Sequence, residues 1–223
     1  MARLRDGHPL ALSLQVAETC VGTRALGPGL RSVAWVQGCP FRCQGCIAPD
    51  WIPQRPAREM RPAGLAAELL ADPDVTGLTF SGGEPMAQAS GLAEVIRIAR
   101  RQRDLTLICF TGYRLRELQD RPPGPGVAEL LAQSDVLIDG RYVAGLNDGR
   151  GMRGSSNQQV HLLTGRLAAA AAELDAGPRR TEIRLRGRSA LLVGVPDREV
   201  AETFDRVTAP AGAEQEHAQA ETT

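Results

Sequence analysis

Short apolar runs alternate along the chain with segments whose apolar residues recur every three to four positions, and this alternation predicts the order of elements. Leu10 to Val16 runs largely apolar and predicts an opening strand. Val21 to Arg31 is rich in Gly and Pro, with Gly27-Pro28-Gly29 as turn punctuation. Val33-Ala34-Trp35-Val36 predicts a buried strand that delivers Gly38 and the segment after it. Pro62 to Ala71, with proline near its start and Leu65, Leu69 and Leu70 apolar, predicts a helix. Val75 to Phe80 predicts the next strand, which ends in Ser81-Gly82-Gly83-Glu84-Pro85. Leu92, Val95, Ile96 and Ala99 then fall on one helical face, with Arg97, Arg100 and Arg101 directed elsewhere. Leu105 to Phe110 predicts a strand ending in Thr111-Gly112-Tyr113. Leu115 to Leu118 is helix-prone, Pro122-Pro123-Gly124-Pro125 is a break, and another helix is expected around Val127 to Ala132. Val136 to Asp139 closes this part as a short buried strand.

Strands that alternate with helices imply βαβ units and a parallel sheet, so the chain is of the α/β class. In such sheets and barrels the site is built from the loops that follow the strands' C-terminal ends. That rule gathers the loop after Val36, Ser81 to Glu84, Thr111 to Tyr113 and Asp139 to Arg141 at one edge. Further on, His161 lies between Val160 and Leu162 on an expected strand, where a core or edge histidine is the ordinary case. Leu167 to Leu174 predicts an alanine-rich helix ended by Ala176-Gly177-Pro178. Glu182 to Arg186 and Ala190 to Val195 around Gly187-Arg188-Ser189 predict a hairpin, and Pro196 to Val207 a short closing helix. The expected division is a core of residues 1–165, an extension of 166–208 packed on it, and a disordered polar tail at 209–223.

Composition narrows the chemistry. The 223 residues carry 26 basic and 26 acidic side chains, and every basic one is arginine, which removes P-loop and Schiff-base lysines. Three histidines, His8, His161 and His217, leave little material for a histidine-rich zinc site or a Ser-His-Asp triad. A net charge of zero argues against a nucleic-acid footprint or a polybasic membrane surface. No apolar run approaches the roughly 20 residues that span a bilayer. Arg3, Arg5 and Asp6 interrupt any apolar signal core. The expectation is a cytoplasmic protein with neither nucleic acid nor membrane as partner.

Five cysteines, Cys20, Cys39, Cys43, Cys46 and Cys109, are an odd number and do not suggest a disulfide framework. Three fall within Cys39-Pro-Phe-Arg-Cys43-Gln-Gly-Cys46. Three thiolates on one short loop suit a soft metal centre, and no fourth Cys or His stands at a partner spacing to close a zinc site. On a cubane cluster of four irons, three cysteines leave one iron with an open coordination position. Cys109 lies in an apolar strand and reads as a small buried hydrophobe, and Cys20 precedes a glycine-rich loop. Trp35 and Trp51 bracket the cysteine loop.

The Cys-x3-Cys-x2-Cys spacing resembles the signature of the radical S-adenosylmethionine (SAM) enzymes. Within that superfamily, several segments are similar to the activating proteins of anaerobic ribonucleotide reductase. These are Gly27-Pro28-Gly29-Leu30-Arg31, Gly38 before the first cysteine, Gly45 before the third, Phe110-Thr111-Gly112-Tyr113, Asp139-Gly140-Arg141-Tyr142 and Arg153-Gly154-Ser155-Ser156-Asn157-Gln158. Many family members carry an aromatic residue where this chain has Gly45, so any stacking contact for the adenine of SAM must come from elsewhere or from backbone. The likeness covers about residues 12 to 163.

The resemblance implies a partial (β/α) barrel of mostly parallel strands, and the small C-terminal β-hairpin/helix extension expected from the residue pattern departs from it. It further implies a [4Fe-4S] cluster on Cys39, Cys43 and Cys46, whose open iron binds SAM and whose electron cleaves it to methionine and a 5′-deoxyadenosyl radical. Gly82, Gly83 and Glu84 match the segment that meets the amino group of SAM. Thr111, Gly112, Asp139, Arg141, Arg153, Ser155 and Asn157 are the further candidate SAM contacts. Any cation that meets the SAM carboxylate here must be an arginine, with Arg141 and Arg153 foremost. The implied partners are a glycyl-radical enzyme or peptide that loses a hydrogen atom, and an electron donor such as flavodoxin or ferredoxin. Two alternatives stay open: a stand-alone radical SAM enzyme acting on a peptide or small molecule, and a non-catalytic Fe–S or zinc-binding interaction module.

Overall fold

The computed structural model describes residues 12–208. One sheet organises them. Its strands are β1 (Leu14–Thr23), β2 (Arg31–Val36), β3 (Arg58–Met60), β4 (Gly77–Gly82), β5 (Thr106–Thr111), β6 (Val136–Asp139) and β7 (Gln159–Leu162). They lie in the order β3-β1-β2-β4-β5-β6-β7. The four central strands, β2, β4, β5 and β6, are mutually parallel, while β1, β3 and β7 join antiparallel at the two sides. Among the described residues no ladder joins β3 to β7, so the sheet has two free edges and does not close on itself.

Both faces of the parallel strands are covered, which is why they read as continuous apolar runs. One face carries α1 (Pro62–Leu69), α2 (Ala89–Arg100), α3 (Leu115–Asp120) and α4 (Val127–Gln133). Leu65, Leu69, Leu92, Val95, Ile96, Leu118 and Leu130 of these helices bury against Ala34, Val36, Leu78, Phe80, Leu107, Cys109 and Leu137 of the sheet. The expected stripe on α2 is fully buried. Cys109 is a core residue, as its apolar strand suggests, and burial pushes its thiol far up. The alternate strand residues, Val33, Trp35, Ile108, Phe110, Val136, Ile138 and Val160, face the other way.

That second face is covered by the chain after residue 146. Met152 lies over it, α5 (Ala171–Ala176) sets Leu174 on Ile108, Val136 and Ile138, and a separate hairpin of β8 (Thr181–Arg186) and β9 (Ser189–Gly194) adds Val193 beside Trp35 and Cys20. Beyond the hairpin, α6 (Arg198–Thr208) has no fully buried residue. The hairpin is tied to β1 by polar groups. Arg186 pairs with Glu18 at 2.6 Å and donates to the Thr19 carbonyl at 2.6 Å, Arg184 donates to the Gly22 carbonyl at 2.6 Å, and Glu182 accepts the Arg24 N–H at 2.8 Å.

At the N-terminal edge of the parallel strands, the fully buried Arg31 uses all five of its N–H groups. It donates to the Thr79 hydroxyl (2.8 Å), the Thr106 hydroxyl and carbonyl (2.9 and 3.2 Å), the Pro28 carbonyl (3.2 Å) and the Leu78 carbonyl. Gly77 makes room for it, since a Cβ there would lie 2.4 Å from Nη1. The arginine of the Gly-Pro-Gly-x-Arg segment thus bolts three strands together at the end of the sheet opposite the cysteines.

Some sequence expectations shift. The opening strand is β1, displaced toward Thr23 from the expected Leu10 to Val16, because polar Glu18, Thr19 and Thr23 are paired across two register irregularities. Leu10 and Ala11 lie outside the described residues. The three-residue, largely polar β3 carries no apolar pattern to announce it. The alanine-rich helix is interrupted: Gly165–Ala170 form a 3-10 stretch that is non-helical at Leu167, and only Ala171–Ala176 continue as α-helix. Arg166 fixes that first segment by donating to the Leu105 carbonyl at 2.8 Å and pairing with Asp104 at 2.5 Å. Residues 209–223, the expected tail, also lie outside the described residues.

Candidate functional site

The cysteine loop leaves the C-terminal end of β2 and returns to its own base. Gly38 N–H bonds the Trp51 carbonyl and Cys39 N–H the Ile52 carbonyl, both at 2.9 Å, and the Gln37 amide donates to the Pro53 carbonyl at 2.8 Å. Beneath this base Trp51 meets Trp35, with ring centroids 5.5 Å apart. Cys39, Cys43 and Cys46 are half-buried on the loop. Burial pushes the Cys39 thiol up to about 11, with the charges of Glu84, Cys43 and Cys46 adding to the rise and the Phe41 N–H opposing it. The Cys46 thiol is raised by burial as well. Gly45 adopts φ +69°, and a Cβ there would come 2.9 Å from that of Ala144. An aromatic residue at this position would be strained, so the departure from the family pattern has a backbone cause.

The donor set fits an iron–sulfur cluster in chemistry, in number and in sharing one loop. Among the described residues no three His, Cys, Asp or Glu side chains already converge as metal ligands do. A cluster would therefore draw the three thiols together and displace their protons.

The end of β4 supports the loop from below. Gly83 N–H bonds the Val36 carbonyl at 2.7 Å and Glu84 N–H the Gly38 carbonyl at 2.9 Å. A Cβ on Gly82 would meet the Val36 nitrogen at 2.4 Å, and one on Gly83 the Gly38 carbonyl oxygen at 2.3 Å. The close approach that these two glycines permit is to the root of the cysteine loop. Glu84 is fully buried. Its carboxylate accepts from the Met86 N–H, the Thr111 hydroxyl and the Gly112 N–H, each at 2.8 Å. Burial raises its pKa to about 7 against those three bonds, and among the described residues no cation pairs with it.

Asp139, at the end of β6, is also buried. It accepts from Arg114 (3.1 Å) and the Leu115 N–H (2.7 Å), and His161 Nε2 stands 2.8 Å from it. Strand parity explains this: Asp139 shares the helix-side face with Leu137, as Thr111 does with Cys109. His161 is therefore an edge histidine bound to Asp139. The 153–158 segment clips onto the loop after β6. The Gln158 side chain donates to the Gly140 carbonyl at 2.6 Å, Asn157 donates to the Arg141 carbonyl at 2.9 Å, and the buried Ser155 hydroxyl accepts the Val143 N–H at 3.1 Å. Arg153 pairs with Asp148 at 3.0 Å. Asn157 Oδ1 and Arg153 Nε are buried without a partner among the described residues.

The structure thus brings Glu84, Thr111 and Gly112 into one hydrogen-bonded group beside the cysteine loop, and Arg141 against Phe41 of the loop itself, while Arg153 and Ser155 sit in the neighbouring clip. Residue patterns gave no signal for Arg114, which links Asp139 to the Asn157 carbonyl at 2.9 Å, or for the aromatic ring of Phe41.

A family profile described as "4Fe-4S single cluster domain" matches residues 25–161. The chain is 30% identical over 141 residues, 60% of its own length and 85% of the relative's, to a protein of Enterobacteria phage T4 named anaerobic ribonucleoside-triphosphate reductase-activating protein. It is 32% identical over 123 residues to a pyruvate formate-lyase-activating enzyme of Clostridium pasteurianum, of which it covers 48%. It is 41% identical over 68 residues to another of that name from Staphylococcus aureus (strain USA300), of which it covers 27%. The cysteine loop, its support by the ends of β4 and β5, and these matches together place the chain in the 4Fe-4S single-cluster family, among the radical SAM activating enzymes.

Proposed function

We propose that the chain reductively cleaves SAM and uses the resulting radical to remove a hydrogen atom from a glycine Cα of a partner glycyl-radical enzyme of the anaerobic ribonucleotide reductase kind. The observation that carries this is the pairing of a three-thiol loop with a buried carboxylate, Glu84, that has no cationic partner among the described residues. Cys39, Cys43 and Cys46 would hold three irons of a [4Fe-4S] cluster. When bound and reduced by a donor of the flavodoxin or ferredoxin kind, such a cluster would supply the single electron for SAM cleavage to methionine and a 5′-deoxyadenosyl radical.

The chain's own residues bind, orient and exclude water. Glu84, whose ionised form three donors favour against its burial, would receive the ammonium group of SAM, the countercharge that would complete that ionisation. Asn157 Oδ1 offers an unused acceptor to a ligand hydroxyl, and Arg153 Nε an unused donor to a carboxylate. Trp35 and Trp51 wall off the base of the loop.

One observation favours a second reading. Residues 166–208 lie beyond the matched span and cover the second face of the sheet, which suits an enzyme acting alone on a peptide or small molecule. Anaerobic reconstitution with iron and sulfide, then dithionite and SAM, tests the chemistry: 5′-deoxyadenosine is expected by mass spectrometry. Bound iron with the spectrum of a reduced cluster but no 5′-deoxyadenosine would refute both readings and leave a binding module. Adding the partner reductase separates the two, because the first reading requires a glycyl-radical doublet in its electron paramagnetic resonance (EPR) spectrum.

A further inference from the structure

Phe41 lies between the first two cysteines, and three residues from two segments, the turn after β5 and the loop after β6, converge on its ring. Gly112, at the end of β5, lies directly beneath it, since a Cβ on Gly112 would come 2.5 Å from Cδ2 and Cε2 of the ring. Tyr113 meets it edge to face, with centroids 4.7 Å apart and planes at 66°. The guanidinium of Arg141, from the loop after β6, stands 4.6 Å from its centroid. Arg141 is exposed and makes no ion pair among the described residues, so the ring is the partner that fixes its head group. Asn157, through the Arg141 carbonyl, fixes the backbone of the same residue.

We infer that Phe41, clamped between Gly112, Tyr113 and Arg141, is the positioning residue that holds the cysteine loop in register with the ends of β5 and β6, and that Arg141 acts through it. The inference rests on the cluster reading above only for its consequence, since the clamp itself belongs to the metal-free chain. Two physical facts carry it. The loop's base is zipped by backbone bonds, but among the described residues its tip has no bond of that kind to β5 or β6, so side-chain packing must set its position relative to those strands. Gly112 is the residue type that lets an aromatic ring approach a strand end this closely, so the glycine of Phe110-Thr111-Gly112-Tyr113 serves the loop.

The test uses the full metal-free chain and reads the alkylation rate of each cysteine by iodoacetamide and peptide mass mapping. Phe41→Leu keeps an apolar side chain and removes the ring, and Arg141→Gln removes the cation. Aromatic and exposed cation–π contacts of this kind correspond to changes of about two- to tenfold. Phe41→Leu and Arg141→Gln are expected to speed alkylation of Cys43 and Cys46 by such factors, with Cys20 and Cys109 unchanged, and Arg141→Lys to restore part of the protection. After reconstitution without SAM, both variants are expected to broaden the EPR signal of the reduced cluster. Wild-type rates at all three loop cysteines would overturn the inference. A parallel rise at Cys20 and Cys109 would overturn it too, by revealing general loosening. Should Arg141→Gln weaken SAM binding alone, with alkylation and the SAM-free EPR signal intact, Arg141 is a SAM ligand and no clamp. None of these readouts depends on whether SAM is cleaved.

Discussion

Glu84 shows how a single residue can carry opposing demands. Three donors favour its ionised form, and complete burial favours the neutral one more strongly, so its pKa rises from 4.5 to about 7. Between those values the folded chain holds a proton that the unfolded chain has released, so stability falls as pH rises through the window and levels off above it. Urea denaturation of the metal-free protein from pH 4.5 to 8 is expected to show this decline, and Glu84→Gln to flatten the difference. A wild-type curve that rises across the window, with the variant parallel to it, would contradict the assignment. SAM bound through its ammonium group would favour the ionised form and shift the decline.

At the scale of elements, the loop and its support act as one body, because the end of β4 meets the loop's root backbone to backbone. Gly83→Ala would place a methyl group 2.3 Å from the Gly38 carbonyl oxygen and 2.8 Å from that of Trp51, neither of which can rotate away. A loss of about 1–3 kcal/mol is expected from urea midpoints, together with lower iron content after reconstitution. Gly124→Ala, which meets nothing within 4 Å, is the control. A Gly83→Ala protein with wild-type stability and iron content would show that the root is free to adjust. The parallel strands and the loops at their ends were legible in the sequence because burial on both faces leaves apolar runs that end in motif residues. The edges were not: β3 is Arg58-Glu59-Met60, and half of β1 is polar. The partners of Arg31, Arg114 and Phe41 lie up to a hundred residues away in sequence and leave no local trace.

Across the whole molecule, the two faces of the sheet are covered by different means. Helices close one in the usual α/β manner, while the chain after residue 146 folds back over the other and anchors it with few apolar side chains. Val193 is fully buried there, so Val193→Ala is expected to cost about 1–3 kcal/mol in urea denaturation. Arg186→Ala, which loses a partly exposed ion pair to Glu18 and a bond to the Thr19 carbonyl, is expected to cost less than Val193→Ala. The reverse order would mean that the hairpin is held by its charges. The strand β8 turns Glu182 and Arg184 toward β1 and leaves Ile183 and Leu185 in solvent, the opposite of the usual polarity of an edge strand.

The Trp35–Trp51 pair lies where the base of the cysteine loop meets the hairpin, and these are the chain's two tryptophans. All indole emission therefore originates at this one seam. An iron–sulfur chromophore on the loop would quench that emission by energy transfer, whereas lifting of the hairpin would let water reach Trp35 and shift the emission to the red. Loading and uncovering thus separate into two spectral channels, intensity and wavelength, readable in a single unlabelled sample.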